Sequence, residues 1–239
     1  RVVLAPNIGW EDADPAGMLE KALELPVCIE NEAMASAICE NWIGSCQTAS
    51  NFVCLNIKSG IGAGIFTSGR PYRGTNGSAG EVGHIVVDED GPRCGCGNYG
   101  CLETLASTGS IIEKAKKIIR QGVASSLREK DDIDEITLED ITNAARTGDA
   151  ASANILEEAT RYIGIALSNL INMLNPSRIV LGKDFTVYGS LVLDTLRSII
   201  DAKALKRPAS NVELIISEIG ERASTLGAAI IPLKKLFGR

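Results

Sequence analysis

The chain predicts an α/β fold, a sheet covered by helices, and three observations carry that prediction. Strand and helix patterns alternate through the second half of the chain. A 26-residue stretch, 149–174, repeats apolar residues every three or four positions as one long amphipathic helix. An alternating run, 51–57, leads through a glycine-rich turn into a second apolar run and a Ser68-Gly69-Arg70-Pro71 hairpin signal.

The elements follow in order. Residues 17–25 carry a short helical pattern that stops at Pro26. Val27-Cys28-Ile29 reads as a short buried strand, and a helix starts at Asn31 or Glu32 and runs to Trp42. The hairpin strands come next, then a polar glycine-rich loop over 74–83. Residues 107–121 form a helix, 123–136 a charged and mobile surface segment, and 137–146 a short helix. The long helix ends at Asn175-Pro176, and Ile179-Val180-Leu181 is a buried strand. A helix over 186–202, a strand over 212–217 and a closing helix over 223–237 complete the chain.

Composition narrows the function classes. Hydrophobic residues make up 45% of the 239, enough for a sizeable core, while aromatics are only 4%. The net charge of -6 argues against a nucleic-acid surface within these residues. The densest basic group, Lys114, Lys116, Lys117 and Arg120, fits one solvated helix face. No apolar run approaches a membrane span, and no stretch of these residues reads as a signal peptide. Of the seven cysteines, Cys28, Cys39, Cys46 and Cys54 lie in apolar or helical contexts and read as reduced core thiols, which points to the cytoplasm. The abrupt start at Arg1-Val2-Val3 reads as a fragment of a longer protein.

The most informative stretch is 84–103. It holds the single histidine, His84, with Cys94, Cys96 and Cys101, spaced H-x9-C-x-C-x4-C. One imidazole and three thiols fit a closed tetrahedral Zn2+ site, structural because four protein ligands leave no open position. Reduced loop cysteines without a metal are the alternative. Glu81 and Glu103 flank the cluster. If one ring nitrogen of His84 binds the metal, the other is free for a ligand, and carboxylates beside it suit sugar hydroxyls; two solvated glutamates are the plainer reading. Ser59, Gly60 and Gly62 lie in a glycine-rich turn whose amides could cradle a phosphate. A tight strand–turn–strand corner explains those glycines equally well.

Gly80-Glu81-Val82-Gly83-His84, then Cys94-Gly95-Cys96-Gly97-Asn98-Tyr99-Gly100-Cys101-Leu102-Glu103 and Ser107, resemble the signature of the ROK family (repressors, open reading frames, kinases). Matching pieces occur in order along the chain: 26–33, 60–64, 72–74, 175–182 and 226–229. The resemblance implies an actin-like, ribonuclease-H-like fold of the ATPase superfamily, with sugar bound between two α/β lobes. Residues 1–50 would be the remainder of the N-terminal lobe and 51–239 the C-terminal lobe, with the zinc loop at 84–101. It implies zinc ligands His84, Cys94, Cys96 and Cys101, and sugar contacts Asn31, Glu32, Glu81, His84 and Glu103. A homodimer or homotetramer is the implied assembly.

Three departures from the family's kinases then matter. Those kinases carry an aspartate general base directly after the asparagine, where Glu32 stands here; one extra methylene displaces the carboxylate by about 1 Å, which is costly for positioned proton transfer. Lys58-Ser59-Gly60 replaces Gly-Thr-Gly, a change that points either way because a lysine could contact phosphate. Gly182-Lys183-Asp184 stands where a Gly-Gly pair normally lies against the nucleotide; a Lys183 and Asp184 pointing to solvent would leave nucleotide binding intact. The resemblance is therefore closer to xylose-repressor and NagC-type regulators. It implies a sugar-sensing effector domain with no catalytic residue, whose monosaccharide controls operator DNA binding by a helix-turn-helix elsewhere in the protein. An ATP- and Mg2+-dependent, glucokinase-like sugar kinase is the alternative.

Overall fold

The structure, a computed structural model, describes residues 2–5, 10–182, 185, 187 and 190–237. At its centre is a five-stranded mixed sheet ordered β5-β4-β3-β6-β7. Its strands are β3 (Phe52–Ile57), β4 (Ile61–Thr67), β5 (Arg70–Tyr72), β6 (Arg178–Leu181) and β7 (Glu213–Ile216). Strands β3, β6 and β7 run parallel, while β4 is antiparallel to both β3 and β5. A separate antiparallel pair, β1 (Val2–Ala5) and β2 (Trp10–Ala13), lies at the N-terminal end.

Side chains alternate across the sheet, and each face is covered. Val53, Leu55, Ile57, Ile179 and Leu181 enter one core; Phe52, Cys54, Phe66 and Val180 enter the other. This is the period of two expected of strands buried on both sides, which is why they read as continuous apolar runs. Phe52 and Phe66 stack across β3 and β4 with ring centroids 4.6 Å apart. The first face carries α3 (Leu102–Ala106), α4 (Thr108–Arg120), α5 (Leu138–Arg146), α6 (Ala150–Leu174) and α7 (Ser190–Lys203), with the short α8 (Lys206–Asn211) at its edge. The second carries α2 (Glu32–Trp42) and α9 (Ala223–Leu236).

Helix α6 begins at Asp149, whose side chain accepts from the Ser152 N–H, and ends at Asn175 in the left-handed conformation. Helix α2 approaches β4 closely: a Cβ at Gly64 would lie 2.4 Å from the Ala33 carbonyl oxygen and 2.4 Å from the Ala37 Cβ. Part of the glycine-rich run is therefore explained by packing of small α2 residues.

Several expectations are corrected. Val27-Cys28-Ile29 is in no strand, and Cys28 and Ile29 are exposed. An apolar tripeptide is not enough to make a strand without a neighbour to pair with; here the Val27 N–H donates to Glu20 Oε1 at 3.0 Å. Cys28 is thus not a core thiol, whereas Cys39, Cys46 and Cys54 are buried. Burial pushes the Cys39 and Cys46 thiols up to about 11 and Cys54 well above the usual range. The charged segment 123–136 folds into two 3-10 turns, Ser126–Glu129 and Ile133–Glu135, with Leu127 and Ile136 buried. The helix expected over 107–121 is preceded by a separate short helix, α3. The N-terminal helix α1 spans Pro15–Leu23, and Trp10–Ala13 is a strand that the sequence reading lacked. Lys183 and Asp184 lie outside the described residues.

Candidate functional site

The metal-ligand candidates converge. The side-chain donor atoms of His84, Cys94, Cys96 and Cys101 all lie within 4.8 Å of one another. His84 Nδ1 is 3.6 Å from Cys94 Sγ, and Cys96 Sγ is 3.7 Å from Cys101 Sγ. Cys94 and Cys101 are buried and Cys96 is exposed. Burial pushes the Cys101 thiol up to about 12, and the neighbouring Cys96 and Cys94 sulfurs push it the same way. The Cys96 thiol is lowered, chiefly by a backbone hydrogen bond at Asn98. Three sulfurs and an imidazole nitrogen packed this closely can hold a metal ion, whose charge would offset the cost of placing thiolates together.

The backbone explains why this span folds so tightly. The Cys94 N–H donates to Asn98 O at 2.7 Å and the Gly97 N–H to Cys94 O at 3.0 Å. Gly100 has φ +63°, and a Cβ there would lie 1.5 Å from the Asp88 carbonyl oxygen, so only glycine fits. The loop is tied to the helical layer through Tyr162 of α6, whose hydroxyl donates to Asp88 Oδ2 at 2.8 Å.

The predicted sugar-contact residues fall around this loop and the N-terminus of α2. Glu81 precedes a 3-10 turn, Val82–His84, and lies exposed at the edge of a cavity of about 720 Å³ between the 74–82 loop and the end of α6. Glu103, in the first turn of α3, accepts from the Ile61 N–H at 3.0 Å and lies beside Gly83. Asn31 caps α2: its Oδ1 accepts from the Ala33 and Met34 N–H groups at 2.9 and 3.2 Å. That leaves its NH2 group as the part a ligand can use. Glu32 begins α2, and its Oε1 is 2.6 Å from Lys58 Nζ.

The glycine-rich turn has a role the sequence did not announce. Ser59 and Gly60 form the corner between antiparallel β3 and β4, and Gly62 is already in β4, opposite Asn56. The turn touches both carboxylates, Glu32 through Lys58 Nζ and Glu103 through the Ile61 N–H. It thereby links the α2 end of the site to the metal-loop end. Sequence reasoning also missed Arg73, whose guanidinium pairs with Glu30 directly before Asn31. The partners in the two ion pairs are 26 and 43 residues apart, and no local pattern marks them.

A family model described as the ROK family matches residues 1–235. The xylose repressor of Caldicellulosiruptor bescii is 34% identical over 236 residues, covering 99% of this chain and 59% of the repressor. The glucokinase of Halalkalibacterium halodurans is 36% identical over 225 residues, covering 93% of this chain and 68% of that enzyme. A crystal structure of a ROK family glucokinase from Streptomyces griseus, in complex with glucose and AMPPNP, matches with a TM-score of 0.85 at 32% identity, covering 96% of this chain and 75% of that one. The sheet order and this likeness bear out the actin-like, ribonuclease-H-like fold. The chain thus spans about three-fifths of the repressor's length. With a family match over nearly its whole length and relatives above 30% identity, the chain belongs to the ROK family.

Proposed function

We propose that this chain is the sugar-sensing part of a ROK regulator that binds a monosaccharide and thereby controls operator DNA held elsewhere in the whole protein. Asn31, Glu32, Glu81, His84 and Glu103 are the proposed sugar contacts, and the xylose-repressor relative makes xylose the first sugar to try. The observation that carries the regulator reading is Glu32. It stands where the family's kinases carry an aspartate base, and its Oε1 is already engaged by Lys58 at 2.6 Å. Proton transfer needs a carboxylate placed within hydrogen-bond reach of the reacting hydroxyl. A ligand shifts such a regulator only by its differential affinity for two states, typically about 1–3 kcal/mol of coupling. A homodimer or homotetramer is the proposed assembly, and the proposed lobes are residues 1–50 and 51–239, with α2 of the first packed on the five-stranded sheet.

The metal is proposed to be Zn2+. A tetrahedral ion with bonds of ~2.3 Å to sulfur and ~2.0–2.1 Å to nitrogen needs edges of ~3.8 Å between sulfurs and ~3.6 Å between sulfur and nitrogen. The 3.7 and 3.6 Å separations here support that fit. Nδ1 is the His84 nitrogen nearest Cys94, so Nε2 is proposed to face the sugar. The ion would hold the loop and do no chemistry on the sugar.

The test uses the whole protein with operator DNA, ATP and a panel of pentoses and hexoses. A sugar that releases the operator without ATP consumption is the expected result. Phosphorylated sugar formed at ordinary turnover would replace this reading with the second one, an ATP- and Mg2+-dependent sugar kinase, which the 36% identical glucokinase favours.

A further inference from the structure

We infer that Lys58 is a positioning residue for sugar binding: by taking Oε1 of Glu32 it fixes that carboxylate as a ready-made hydrogen-bond acceptor. This rests on the sugar-sensing reading and goes beyond it, because Lys58 is outside the proposed contact set.

The geometry supports a fixed strut. Lys58 follows the last residue of β3, and its backbone is held on both sides. Its N–H donates to Gly60 O at 2.9 Å, and its carbonyl accepts from the Thr108 N–H at 2.9 Å, where α4 starts. Glu32 is held independently of the ion pair. Its carbonyl accepts from Ser36 Oγ at 3.0 Å, and Ser36 Oγ accepts from Asn56 Nδ2 at 2.9 Å. Asn56 lies two residues before Lys58 on β3. The backbones that bear the two charges are therefore cross-tied, and the 2.6 Å contact spans a set distance.

The chemistry explains why such a strut is useful here. A glutamate has one more rotatable bond than an aspartate, and an exposed one loses rotamer freedom when a ligand orders it. Side-chain exposures of 42% for Lys58 and 56% for Glu32 mean the pair adds little to folding stability. They also leave Glu32 accessible to a small polyol. With Oε1 engaged, Oε2 is the oxygen left to accept from a sugar hydroxyl. Two of the three departures from the kinase pattern, Glu32 and Lys58, are thus two ends of one contact, between residues 26 apart.

The test is a double-mutant cycle on the whole protein, read as affinity for D-xylose, D-glucose and N-acetylglucosamine by calorimetric titration. For whichever sugar binds, Glu32→Gln and Lys58→Met are each expected to weaken affinity by roughly 10-fold. The double variant is expected to be no weaker than the poorer single, because coupled neighbours are not additive. Lys58→Arg should stay within about 3-fold of the parent, since it keeps the charge. Unfolding midpoints should stay within about 2 °C, in keeping with an exposed pair. Multiplying losses in the double variant, or an unchanged affinity in Lys58→Met, would overturn the inference. So would tighter binding, which would make Lys58 a competitor of the sugar, or a Lys58→Met protein that does not fold. A parent protein that binds none of the sugars removes the sensing reading itself, whereas binding with an additive cycle removes only the role of Lys58.

Discussion

The candidate metal loop and the β3–β4 turn meet at Glu103, yet they are closed in different ways. In the loop, four donors come from residues 84 to 101 and are drawn together by short backbone hydrogen bonds and by Gly100. In the turn, Glu32 meets Lys58 only because α2 packs on β4 and the β3–β4 corner brings the lysine back across the end of that helix. A short chelate loop can close almost regardless of the surrounding fold, given its ion. A long-range ion pair exists only after the sheet and its covering helix have formed. The loop should therefore depend on the metal for stability, and the turn should matter for binding more than for folding.

The largest expected effect lies on the loop side. Emission spectroscopy should find about one zinc per chain. With free zinc at a thousand times its dissociation constant, the ion adds about 4 kcal/mol. Chelation should then lower the melting temperature by roughly 8–16 °C. Cys101→Ser should be as unstable without chelator, and a protein indifferent to both would break the comparison.

A smaller effect is expected at Tyr162, the tie between loop and helical layer. Burial, and then the hydrogen bond to Asp88, raise its hydroxyl above the usual range. Tyr162→Phe should cost about 1–2 kcal/mol. It should also speed zinc loss to a chelator measured by a colorimetric dye. Stability lost without faster metal release would mean that α6 does not brace the loop.

The smallest effect gives the turn a control: Asp149, a carboxylate held by backbone N–H groups instead of by a lysine. Burial raises this carboxyl, but hydrogen bonds from the Ser152 and Ser126 N–H groups outweigh it and bring it down to about 2. Because the folded value is below the unfolded ~3.9, its stabilisation is present above about pH 4 and is lost as pH falls through about 2. Asp149→Ala should cost about 1 kcal/mol at neutral pH by denaturant titration. The gap to the parent should shrink in acid. A gap that persists at pH 2 would show that the charge is not what caps α6.

How much was legible follows the same division. The α6 helix and the β3 and β6 strands were readable because periodic apolar residues face cores on known sides. The cluster of four candidate metal donors was readable because they share one short span. Val27-Cys28-Ile29 was misread because apolar character was taken for burial, with no pairing strand to make it so. The 123–136 segment was misread because its charges obscured Leu127 and Ile136, both buried. The glycine-rich turn was ambiguous in sequence. Its Ile61 N–H proved to be bonded to Glu103, and its Gly64 end proved to be a contact surface for α2.

The sequence by itself determined the family, the covered α/β sheet and the gathering of four candidate metal donors, because hydrophobic periodicity and short-range ligand spacing are properties of neighbouring residues. Only the tertiary structure decided that Glu32 is held by Lys58, that Glu103 is anchored by the β3–β4 corner and that Nδ1 is the His84 nitrogen beside Cys94. Such contacts depend on which elements pack together and on rotamers set by that packing, and neither is written in the spacing of residues along the chain.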